Sequence, residues 1–105
     1  MVKVINSHVA FDGSHSVIED FASLFHQDFS LMEKDPNEYG QEIFKILSKK
    51  QKSSLRESFI KLLKENSGKK QKGLISSWRR LGAVWWDNKI DLRATMQNWI
   101  NYLES

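Results

Sequence analysis

Apolar residues recur at helical spacing in several separate stretches of this chain, each with its own start or stop signal. The first thirteen residues lack that period, although Val2, Val4 and Val9 are compatible with a short extended segment. Ser16-Val17-Ile18-Glu19 then opens a helix. Serine can accept from the amide three residues on while glutamate reaches back to the serine amide. Val17, Ile18, Phe21, Ala22, Leu24 and Phe25 follow on one face, which predicts an amphipathic helix ending near Asp28. Asp35-Pro36-Asn37-Glu38 is a second start, with a capping acid, proline at the first helical position and an acid in the first turn. Behind it Tyr39, Ile43, Phe44, Ile46 and Leu47 form a stripe, and Gly40 within it suggests a close approach of another element.

A third helix is expected to begin at Ser48 or at Ser54, where Ser54-Leu55-Arg56-Glu57 is a further capping box, and to run to about Asn66. Its stripe is Leu55, Phe59, Leu62 and Leu63, and Ser67-Gly68 supplies a stop. Gly68 to Gly73 reads as a basic loop. Leu74 to Leu81 reads as a short helix closed by Gly82. Ala83-Val84-Trp85-Trp86 reads as extended and Asp87-Asn88-Lys89 as a turn. Asp91 caps a last helix with Leu92, Met96, Trp99, Ile100 and Leu103 on one face. The pattern predicts one all-α domain over residues 1–105, a compact bundle of about five helices with short loops.

Charge changes this picture more than composition does. The net charge of +3 is the balance of −6 over residues 1–44, +10 over residues 45–80 and −1 over residues 81–105. An asymmetry of this kind points to charged partners. With no cysteine there is no disulfide framework and no thiolate metal site. No apolar run approaches the roughly 20 residues of a spanning helix, and the start is too short and polar for a secretory signal. A cytoplasmic protein without membrane partner is expected.

Candidate chemistry is sparse. His8, His15 and His26 show no helical pairing, so no metal site is expected. The phosphate-binding loop, the nucleophile elbow and the dinucleotide glycine turn are all missing. On a continuous helix His26 and Asp28 would point about 160° apart and could not act on one substrate together. No catalytic residue, cofactor or small-molecule substrate is therefore expected, and the chain reads as a binding protein. Lys45, Lys49, Lys52 and Arg56 form a basic face at helical steps, and with Lys69, Lys70 and Lys72 they offer an alternative reading as a small nucleic-acid-binding or regulatory protein. Phe44 and Phe59, the aromatics within that region, belong to the apolar stripes and do not offer bases a stacking surface. Trp78 and Trp99 read as core. Trp85 and Trp86 should face opposite ways in an extended segment, which leaves one of them as a potential interface anchor.

Phe25-His26-Gln27-Asp28-Phe29 is more specific than any of these features. Preceded by a helix bearing Phe21 and followed within ten residues by Asp35-Pro36-Asn37-Glu38, it resembles the Y/F-F/L-H-Q-D-W/F signature of bacterial CdiI-type immunity proteins. The similarity extends over about residues 16–104, through Leu81-Gly82 and through Trp99-Ile100 and Leu103 of the last helix. The resemblance implies a cytosolic protein of a contact-dependent growth inhibition system, which binds the C-terminal toxin domain of a CdiA-type exoprotein and neutralises it by stoichiometric occlusion. Many such toxins are nucleases. The pentapeptide itself is expected to serve the scaffold, being common to proteins that face different toxins. The density of carboxylates over residues 19–42 then makes Glu19, Asp20, Glu33, Asp35, Glu38 and Glu42 the expected toxin contacts, with Trp86 as anchor.

Overall fold

The computed structural model describes residues 16–27, 29 and 34–104, and among them five helices form, four of them where the capping signals lie. Helix α1 spans Val17–Ala22. The Ser16 hydroxyl accepts from the Glu19 amide at 3.3 Å, and the Glu19 carboxylate accepts from the Ser16 amide at 3.2 Å. The helix ends at Ala22 and does not run on to Asp28. The Ser23 hydroxyl donates to the Asp20 carbonyl at 2.7 Å. The amides of Leu24 and Phe25 then reach carbonyls three residues back, those of Phe21 and Ala22. A side chain that competes for helical carbonyls, followed by tightened turns, terminates a short helix. His26 therefore lies beyond the helix, and the helical geometry expected for His26 and Asp28 does not apply; Asp28 is outside the described residues.

Helix α2 spans Pro36–Phe44, its Asp35 carboxylate accepting from the Glu38 amide at 3.1 Å. Helix α3 spans Lys49–Glu65 and starts at the first of the two expected serines. Ser48 and Gln51 form its reciprocal cap, at 3.1 and 2.9 Å, while Ser54 lies within the helix. Its C-cap Asn66 is 2 % exposed. The Asn66 amide group donates to the Leu62 carbonyl at 2.9 Å and accepts from the Ser77 hydroxyl at 3.2 Å, which ties α3 to the next helix.

Helix α4 spans Gln71–Arg80, three residues longer at its start than the apolar pattern predicts. The reason is non-local. Gln71 donates to the Asn88 carbonyl at 2.7 Å and accepts from the Leu92 amide at 2.8 Å, so the first turn is anchored by later chain and not by its own cap. The helix closes through Gly82 at φ +125°, with Gly82 N–H to the Arg79 carbonyl at 3.0 Å and Ala83 N–H to the Trp78 carbonyl at 3.3 Å. These are the two bonds of a Schellman stop, which needs a left-handed residue at Gly82. Helix α5 spans Leu92–Glu104, and Asp91 accepts from the Ala94 amide at 3.0 Å.

The apolar faces converge on an aromatic core to which all five helices contribute. Phe21, Phe25, Phe44, Phe59, Trp78 and Trp99 are each fully buried. The Phe21 and Trp99 rings meet edge to face at 5.1 Å, and Phe59 stacks on Trp99 at 5.4 Å. Aromatic pairs in these arrangements contribute about 0.5–1.5 kcal/mol beyond their buried area. Trp99 crosses α2 at Gly40, and its indole N–H donates to the Asn37 carbonyl at 3.2 Å. Helices α3 and α5 pack antiparallel: Arg93 donates to the Asn66 carbonyl at 2.8 Å at one end, and Arg56 lies 3.4 Å from Glu104 at the other. No strand occurs among the described residues, and the fold is an all-α bundle. No described helix is long and apolar enough to cross a membrane. The potential extended segment over residues 1–13 lies outside the described residues.

Candidate interaction surface

Placing each expected contact on the fold divides them. Asp20 is 7 % exposed and faces inward from α1, so it is not part of an outward acidic face. Its position beside Phe21 and Ala22, on the buried side of a six-residue helix, decides this. Glu19 is half-buried and its carboxylate holds the α1 cap. Glu33 lies outside the described residues. Asp35, Glu38 and Glu42 remain exposed and form a ledge along the first turns of α2. Two of the three are already engaged: Asp35 in the helix cap and Glu42 with Lys34 at 3.0 Å.

Trp86 is corrected from anchor to core. It is 4 % exposed, and its indole N–H donates to the Ile90 carbonyl at 3.0 Å. The backbone explains why. Trp85 N–H donates to the Phe25 carbonyl at 2.9 Å, which pins the extended segment against the turn after α1 and directs the next side chain inward. Trp85 is the half-buried member of the pair and packs on Phe29 at 4.7 Å, while Val84 before it is 60 % exposed.

The described residues of the pentapeptide, Phe25, His26, Gln27 and Phe29, lie at the junction between α1 and the rest of the core. Phe25 is 0 % and Phe29 1 % exposed, while His26 and Gln27 face solvent. Phe25 is in ring contact with Phe21, Tyr39, Trp78, Trp86 and Trp99. Tyr39 lies against Phe25 and Phe29 at the root of the α2 ledge. Burial pushes its phenol above the ordinary tyrosine range; nearby Lys34 pulls it down and Glu42 adds to the rise. Tyr39 is therefore a neutral packing group and not an acid or base at neutral pH.

The basic residues present a different surface. Helix α3 carries six bases against Glu57 and Glu65. Lys49 and Lys64 are exposed and Lys52 half-buried. With Ser53, Arg56, Leu103 and Glu104, Lys49 and Lys52 line an open groove of about 570 Å³ between α3 and the end of α5. A second open groove, of about 490 Å³, lies along α4 between Lys72, Arg79 and Asn88. Among the described residues, Lys34–Glu42 and Arg56–Glu104 are the ion pairs, so the lysines of α3 have no carboxylate partner there. Of the expected basic face, Lys49, Lys52 and Arg56 share α3, whereas Lys45 caps the end of α2 and Lys69, Lys70 and Lys72 lie at the start of α4; the α5 residues that complete the groove are not visible in the basic pattern. No cluster of three or more potential metal ligands occurs among the described residues.

Comparison with protein-family models, with curated proteins and with solved structures finds no match to this chain.

Proposed function

We propose that this chain is an immunity protein of the CdiI type, which binds the C-terminal toxin domain of a contact-dependent inhibition exoprotein and neutralises it by occluding its working surface. The observation that supports this reading best is the position of Phe25-His26-Gln27-Asp28-Phe29. Its two phenylalanines serve the core, Phe25 as a hub of the aromatic cluster. A motif common to proteins with different toxins should serve the shared scaffold in this way and leave the surface to vary. The aromatic core gives the bundle a fixed shape, which suits a preformed interface of about 800 Å² per partner. Of the expected acidic contacts, Asp35, Glu38 and Glu42 are those the fold leaves exposed, with Asp35 engaged in the helix cap and Glu42 with Lys34.

The test is co-expression with the C-terminal toxin domain encoded beside this chain. Growth should be rescued, and a one-to-one complex should co-purify. A folded chain that neither rescues growth nor co-purifies with the toxin domain would rule the reading out.

A further inference from the structure

The α3–α5 groove continues as a ridge along the whole of α3. Lys49, Lys52, Arg56, Ile60 and Lys64 follow one another at steps of three or four residues, so they share one side of the helix. At its Lys49, Lys52 and Arg56 end the row borders the end of the antiparallel α5, whose Glu104 meets Arg56 and whose Leu103 lines the groove. Ile60 is 38 % exposed between Arg56 and Lys64 in this row, and the half-buried Leu103 lines the groove at the Lys49 and Lys52 end. The ridge thus has an apolar centre and basic flanks.

We infer that this ridge is a protein-docking surface, and that its occupant is an acidic surface of the toxin domain carrying an apolar side chain opposite Ile60. The inference rests on the toxin-binding reading and adds the face and the partner's chemistry. Two observations select this occupant. The ridge lysines have no carboxylate partner among the described residues, whereas Asp35 and Glu42 of the acidic ledge are engaged within the fold. Unneutralised charge of one sign steers a partner of the other and fixes its register. The second observation separates protein from nucleic acid. A phosphate backbone offers no apolar group for the exposed Ile60 to bury against, and its contacts come from charged and polar groups. An acidic protein surface with an apolar centre answers both the lysines and the isoleucine.

The experiment measures the affinity of the full chain for the toxin domain, and for single- and double-stranded RNA, at low and moderate salt. Variants are the charge reversal Lys49→Glu/Lys52→Glu/Lys64→Glu and the single Ile60→Glu. All four positions are exposed or half-buried, and circular dichroism checks that each variant keeps its helices. The triple variant should bind the toxin domain at least 100-fold more weakly and lose most of the salt dependence; Ile60→Glu should weaken it about tenfold. Wild-type affinity in the triple variant, with the complex otherwise formed, would overturn the ridge while leaving the immunity reading intact. No complex with the wild-type chain would overturn both. Salt-dependent RNA binding by the wild type that the triple variant loses, without toxin binding, would replace the protein occupant with nucleic acid.

Discussion

Trp99→Ala should leave the chain at the edge of folding, with a loss of roughly 3–5 kcal/mol. Trp99 is 0 % exposed and in ring contact with Phe21, Phe25, Phe44, Phe59, Trp78 and Trp86. Its removal opens a cavity that rigid rings on several helices cannot close by small movements, so the full transfer and cavity costs should both appear. It also leaves the Asn37 carbonyl without the indole donor. Set against the roughly 5–15 kcal/mol that hold a typical domain together, this is a large fraction of the total. Denaturant unfolding followed by far-ultraviolet circular dichroism measures it. A loss below about 1 kcal/mol would mean that the core is not organised around this residue.

Gly40→Ala should cost about 1–3 kcal/mol, although alanine is the better helix former by up to ~1 kcal/mol. A methyl group at this position would lie 2.7 Å from Cε2 and 3.1 Å from Cδ1 of Trp99, and nearer still to its indole nitrogen. The obstacle is a fully buried ring locked among other rings, not the tip of a flexible chain, so it has nowhere to go. The urea midpoint should fall with the slope unchanged. The cost should also be non-additive with Trp99→Phe, which removes the indole nitrogen that the methyl meets first. A stabilised Gly40→Ala variant would show that helix propensity outweighs the contact and that α5 can shift away from α2.

Both sites illustrate what was legible in the sequence. Gly40 in an apolar stripe predicts a close approach, and Trp99 on the last stripe predicts core; that they meet each other is information the stripes do not carry. The caps at Ser16, Asp35 and Asp91 and the stop at Gly82 were readable because each is satisfied by residues within a few positions. The start of α4 was not, because Gln71 is held by Asn88 and Leu92. The choice between Trp85 and Trp86 was not, because alternation along an extended segment fixes opposite faces but not which face is inward; that depends on a hydrogen bond to Phe25, sixty positions earlier in the chain. The acidic surface is smaller than the sequence suggests for a related reason. A carboxylate's charge is visible in the sequence, while its burial at Asp20 and its use in the caps of Glu19 and Asp35 are properties of the folded chain.

The ring contacts between Phe21 of α1 and Trp99 of α5 also govern how the molecule comes into being. Elements at both ends of the bundle must be present before the aromatic centre can close, and bringing them together costs chain entropy that no local contact repays. A chain still emerging from the ribosome therefore carries Phe21, Phe25, Phe44 and Phe59 without their common partner until α5 has been made. Completion of the last helix, and not gradual growth, is then the event that gives the bundle its defined shape.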